Sequence, residues 1–421
     1  MNVISRQSEF CIITGKTDTV YFALQKRLLR ICLFNFFLLA LIGLLLRAYP
    51  IFHIPFFTYK NVLHAHSHFA FGGWVIPVLL FLILKFFPEI RTAVAYHHWR
   101  NSIVLMLVSA YGMFLSFPFQ GYGAVSIVFS TLSIAAGFYS GIIIRNEIRQ
   151  HPRTVSHSFL LAGFFYYFLS AAGPLATGPL IAMGKAGSAI YYNAIYFYLH
   201  FQYNGFFTFI VLALLYKMIE QHQPVTNGKI VFRLLSIACI PAYFLSVLWT
   251  QPSIILYVTG GAAALLQVIA VIWLLKDIKG ISWKNDLQRL LFRIAIFAFV
   301  VKNVLQLLSA FPSIAELAYQ NRNFIIAYLH LVLLGFVSVF VFAAILKSTT
   351  LSHNRLMYSG ILFFLFAFIT TELLLVLQAG GYLSFIQSSI YLWLLFGLSS
   401  FFPVGLLLVW ISCPGRILLR A

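Results

Sequence analysis

Leu63-His-Ala-His-Ser-His-Phe-Ala-Phe-Gly-Gly-Trp-Val-Ile-Pro-Val-Leu-Leu-Phe-Leu-Ile-Leu84 holds no Asp, Glu, Lys or Arg across its 22 residues. About 20 predominantly apolar residues suffice for a helix to cross a bilayer. This stretch therefore predicts a transmembrane helix, here over 62–87. It also carries three histidines, and polar groups at membrane depth are costly and usually functional. Eleven further runs of the same kind lie at about 28–48, 101–120, 122–144, 158–183, 190–216, 231–250, 253–275, 290–311, 323–346, 357–378 and 386–411. The fold class read from them is all-α, a polytopic membrane protein of about twelve transmembrane helices.

The composition agrees. Of 421 residues, 62% are hydrophobic and 9% charged, against about 25% charged in soluble chains. Mean hydropathy is +0.93. Such a chain is not a secreted disulfide scaffold, a coiled coil or a disordered tail. Cys11, Cys32, Cys239 and Cys413 show no CxxC spacing, so neither a zinc site nor a c-type haem attachment is indicated. Connections are short, so residues 1–421 read as a single transmembrane domain. The first 27 residues are too polar for a secretory signal and read as a cytoplasmic segment.

The net charge of +19 is explained by where it lies. With the N-terminus in the cytoplasm, 23 of the 28 Lys and Arg fall on the cytoplasmic side, Arg416 and Arg420 near the C-terminus among them. Only Arg47, Lys60, Lys185 and Arg322 fall outside, and Lys302 lies within a span. This is the positive-inside asymmetry. It places both termini in the cytoplasm of a multi-pass protein of the cell (inner) membrane, whose partner is the lipid bilayer. No nucleic acid partner is expected.

Three segments echo one another: His68-Phe-Ala-Phe-Gly-Gly73-Trp74, His200-Phe-Gln-Tyr-Asn-Gly205-Phe206 and His330-Leu-Val-Leu-Leu-Gly335-Phe336. The histidines are 132 and 130 residues apart and fall on the second, sixth and tenth spans. The repeat is thus four helices long, taken three times, over about 28–144, 158–275 and 290–411. A lone imidazole on an apolar helix is ordinarily a hydrogen-bonded packing residue. Three of them at one depth, each followed by glycine, could instead surround a flat ligand. His64 and His68 share a helix face one turn apart, and His66 points nearly opposite.

Lys302, Asn303 and Gln306 on the ninth span and Glu372 on the eleventh are polar at membrane depth. They read either as an interhelical staple or, with Gln378, Gln202 and Asn204, as a proton or ion path. Gly173-Pro174 and Gly178-Pro179 must break or bend the fifth span.

These motifs resemble subunit I of the haem–copper oxidase superfamily, in particular the C-type oxidases and nitric oxide reductases. The second-span stretch Leu63-His64 through Gly73 is similar to the family helix whose His ligates the low-spin haem, which implies His64 or His68 as that ligand. The family's tenth helix reads His-x-His-x4-Gly-aromatic. Here Tyr328-Leu329-His330 through Gly335-Phe336 keeps the second histidine, the low-spin ligand. Tyr328 stands where the high-spin ligand would be, and a phenolate can itself ligate haem iron.

His200 with Gly205-Phe206-Phe207 resembles the helix that brings a His to the non-haem metal. The His-His pair expected after Trp249-Thr-Gln-Pro252 is replaced by Ser253-Ile254. Copper or non-haem iron is therefore not expected, although His64, His68, His200 and His330 remain the candidate metal-ligating set. The family's propionate-anchoring Arg pair is missing from 379–385.

The resemblance implies a low-spin, bis-histidine haem b serving electron transfer or redox sensing, with a cytochrome or quinol as donor. Two alternatives stay open. One is a cation, metal or proton transporter on the same scaffold, using Lys302 and Glu372. The other is a terminal oxidase or nitric oxide reductase with an atypical site.

Overall fold

The computed structural model describes residues 2–283, 285–348, 354–385 and 387–413, with the backbone alone over 2–17. Lys284, Arg416 and Arg420, which enter the charge count, lie outside the described residues. Among the described residues twelve helices are long and apolar enough to cross a membrane. They are Asp18–Ala48, Tyr59–Phe86, Ala95–Gln120, Ala124–Ile148, Val155–Ala182, Ala189–Glu220, Gly228–Thr250, Ile254–Gly280, Asp286–Leu308, Arg322–Ser348, Arg355–Ala379 and Ser388–Ile411. No strand occurs among the described residues.

The first span begins about ten residues earlier than its apolar run, inside the segment read as a polar cytoplasmic one. The helix is continuous from Asn2 to Ala48. Tyr21 donates to the Thr92 carbonyl at 2.9 Å and Gln25 to the Leu84 carbonyl at 2.8 Å, so polar side chains hold this turn to the body.

The chain divides into two compact units. The first comprises 1–152, 345–364 and 399–421, and the second 153–344 and 365–398. Within the first unit, Phe36 stacks on Trp74 at 4.0 Å between ring centroids. Beside them Asn35 donates to the Gly73 carbonyl at 2.8 Å and accepts from the Tyr111 hydroxyl at 2.6 Å.

Within the second unit, the fifth span breaks at Ala171, between helical stretches Val155–Ser170 and Ala172–Ala182. The cause is Pro174, which has no N–H and whose ring crowds the carbonyl of Ser170 four residues before it. Past the break, Gly173 lets the fifth span lie against the backbone of the sixth at Ala194 and Tyr198. The helix is thus interrupted near the first Gly-Pro pair, where it packs closely, whereas Pro179 of the second pair lies inside the continuous helix Ala172–Ala182.

Burial varies regularly along the chain. In each set of four consecutive spans the second is the most enclosed: 94% of its apolar window for the second span, 83% for the sixth and 72% for the tenth. A helix apolar on all sides is stable only when surrounded by protein or lipid; these three are surrounded mainly by protein.

Candidate functional site

Each histidine motif sits at a wide, π-helical stretch: Ala70–Val75, Phe201–Phe207 and Leu331–Ser338. His200 and His330 immediately precede theirs, and His68 stands two residues before its own. A π turn shifts the hydrogen-bond ladder and leaves carbonyls short of donors, and such turns recur at functional sites. In lipid those carbonyls need protein partners. The Thr208 hydroxyl donates to the Tyr203 carbonyl at 2.6 Å and the Ser338 hydroxyl to the Leu333 carbonyl at 2.8 Å. Both hydroxyls stand eight residues after the motif histidine. In the first motif Asn35 supplies the donor from another span. The sequence reading missed these turns, although Thr208 and Ser338 at a common offset were a visible signal.

The motif glycines pack against protein. A Cβ on Gly205 would come 2.5 Å from the Tyr166 Cβ, and one on Gly335 would come 2.6 Å from the Phe368 ring and 3.3 Å from the Ala298 Cβ. At these two positions the close approach is between helices.

In the first unit His64 and His68 do share a face. His68 lies flat on Phe117, with ring centroids 4.4 Å apart and planes 11° apart, and its Nε2 meets the Tyr122 hydroxyl at 3.0 Å. His64 packs edge-on to Tyr122 at 4.7 Å, and no hydrogen bond engages its ring nitrogens among the described residues. His66 turns to the first span, where a Cβ on Gly43 would lie 3.2 Å from its Cε1.

In the second unit His200 is wholly enclosed. Its Nε2–H donates to the Cys239 carbonyl at 2.9 Å, and its Nδ1 accepts from the Asn204 amide at 3.2 Å. The Ser246 hydroxyl stands 3.5 Å from the same nitrogen. The Cys239 carbonyl needs this donor because the seventh span changes there from α to 3₁₀ geometry at Pro241–Thr250. Both imidazole nitrogens are thus engaged, as in a hydrogen-bonded core residue. Beyond it, Trp249 donates to the Asn193 side chain at 3.1 Å, and Gln251 takes a left-handed φ of 50° to end the span.

His330 differs. Its Nδ1 faces Glu372 Oε1 at 3.1 Å, and its Nε2 has no hydrogen bond among the described residues. A carboxylate on one imidazole nitrogen fixes the tautomer and raises the basicity of the other, the arrangement common behind metal-ligating histidines. His330 therefore fits a ligand to haem iron. Tyr328 packs against Tyr203 with ring centroids 6.3 Å apart.

Lys302 is buried, with its ammonium 5.7 Å from the Phe299 ring centre. It makes no ion pair among the described residues. Glu372 is turned to His330, so the staple expected between Lys302 and Glu372 is not what forms. Five amide oxygens of this unit, on Gln202, Asn204, Gln267, Asn303 and Gln306, are buried without a hydrogen-bond partner among the described residues. Gln378 accepts from Asn323 at 2.5 Å nearer the end of the eleventh span. Among the described residues no group of three or more His, Cys, Asp or Glu could hold a metal ion.

No family model and no curated protein matches the chain.

Proposed function

We propose that this chain is a haem-binding protein of the cell (inner) membrane, built as three four-helix repeats with both termini cytoplasmic. It would hold a low-spin haem b with His330 as an imidazole ligand, and serve electron transfer or redox sensing with a cytochrome or quinol as donor. The observation that carries this reading is the Glu372 carboxylate on His330 Nδ1. It leaves Nε2 as the one nitrogen able to ligate and makes that nitrogen a stronger donor.

A bound haem supplies reversible one-electron chemistry at its iron. The chain's part is to present imidazoles. Within the first unit, His68 Nε2 holds the Tyr122 hydroxyl. His200 is assigned a structural role, and Tyr328 an aromatic packing role beside Tyr203.

The test is an optical spectrum of purified protein expressed with adequate haem. Soret and α bands of a low-spin b-type haem are expected, lost in His330→Ala. A colourless wild-type protein overturns the proposal.

The amide oxygens of Gln202, Asn204, Asn303 and Gln306, buried without a hydrogen-bond partner among the described residues, favour a second reading, a proton or cation path through the second unit. An amide oxygen buried without a donor costs about 1–3 kcal/mol, so four of them suit a hydrated interior better than a dry one. Flux in liposomes that Lys302→Met abolishes, in a protein without pigment, would establish this reading in place of the first.

A further inference from the structure

Away from the motif histidines, the second unit contains a pocket of about 420 Å³ where the fifth span begins, the sixth ends and the seventh begins. Because it joins span ends, it lies where the apolar part of the chain gives way to the polar surface. Its wall carries Arg153, Lys217 and Lys229 against one carboxylate, Glu220.

That carboxylate is already engaged. Glu220 Oε1 accepts from the Ser156 backbone N–H at 3.0 Å and Oε2 from the Ser156 hydroxyl at 2.6 Å. The Thr154 hydroxyl oxygen accepts from the His157 N–H at 3.2 Å. The first amides of the fifth span are therefore capped from within. Both oxygens of Glu220 are thereby engaged, and three cations outnumber this single carboxylate around the pocket. Arg153 and Lys229 are exposed, while Lys217 is half-buried on the sixth span. A guanidinium and two ammonium groups around one concavity suit an anion with several oxygens, the guanidinium as a bidentate fork and the lysines as point charges. Basic pockets between transmembrane helices at the membrane surface are suited to lipid headgroups.

We propose that this pocket binds a phosphate anion, carried at the membrane surface by the headgroup of an anionic phospholipid. Arg153 and Lys229 close over the phosphate from the two flanking spans and Lys217 meets it from the wall. The site is independent of any haem and of the histidine motifs.

The experiment is native mass spectrometry of the full chain in detergent, titrated with phosphatidylglycerol or with phosphatidylcholine, whose choline cation opposes the pocket. Wild-type protein is expected to prefer phosphatidylglycerol at least fivefold. The exposed pair Arg153→Gln with Lys229→Gln is expected to bring that ratio to about one, while Lys276→Gln, whose ammonium sits on the Trp273 ring, preserves it. A parallel titration with inorganic phosphate separates the sources. Phosphate binding that the double substitution abolishes, without phosphatidylglycerol preference, keeps the anion site and makes its occupant a soluble phosphate. Equal retention of both lipids by wild-type protein with no phosphate binding overturns the proposal, and needs no variant to fold. So does a lipid preference that survives the double substitution.

Discussion

Replacing His200 by Ala separates a packing histidine from a metal ligand. The imidazole is enclosed and bridges two groups, the Cys239 carbonyl at 2.9 Å and the Asn204 amide at 3.2 Å. The carbonyl stands at the change from α to 3₁₀ geometry in the seventh span, where the helix supplies it no donor of its own, and lipid supplies none either. Truncation leaves both groups unpaired at about 1–3 kcal/mol each. It also opens a void where the ring stood, so the expected loss is about 4 kcal/mol in all. His200→Gln, which keeps a donor and an acceptor, should recover roughly half of this. The assay is unfolding in mixed micelles with increasing SDS, run beside metal analysis and a visible spectrum of the folded fraction. A destabilised variant with unchanged metal and pigment content is expected. A variant as stable as wild type that has lost bound metal would refute the argument.

Other perturbations test other parts of the structure. Asp277 is buried and accepts from the Tyr216 hydroxyl, the Thr226 hydroxyl and the backbone and side-chain amides of Asn227 at 2.8–3.1 Å. Asp277→Ala should cost about 3 kcal/mol and expose the 221–227 connection to protease, with Asp277→Asn intermediate. Gly205→Ala meets the Tyr166 Cβ, close to its backbone, whereas Gly335→Ala meets the tip of the Phe368 ring. The first should therefore lower the SDS midpoint more than the second, by the equivalent of about 1 kcal/mol or more. Glu372→Ala removes the acceptor behind His330 Nδ1 and should weaken haem retention about 10-fold or more in a competition with apomyoglobin. Glu372→Gln, which can still accept that hydrogen bond, should retain pigment; pigment loss equal to that of the Ala variant would contradict the role given to the hydrogen bond.

Much of the fold could be read from runs of apolar residues, because the need to span hydrocarbon is met locally, one helix at a time. All twelve spans lie within a few residues of their apolar runs except the first. It begins early because Tyr21 and Gln25 find distant carbonyls, which hydropathy does not register. The shared face of His64 and His68 likewise followed from helical periodicity alone. The pairing of Glu372 was not legible. Charge alone suggested Lys302 as its partner, and helix rotation instead turns it to His330.

The sequence by itself determined an all-helical, membrane-dissolved chain with a thrice-repeated histidine motif, since length, apolarity and spacing are properties of single helices. Only the tertiary structure decided that each motif lies at a π turn. It also decided that His200 is bound on both nitrogens and that His330 is backed by a carboxylate. Those partners lie 39 and 42 residues away along the chain. Whether they meet depends on how neighbouring helices rotate and cross, which is set by side-chain packing across the whole unit.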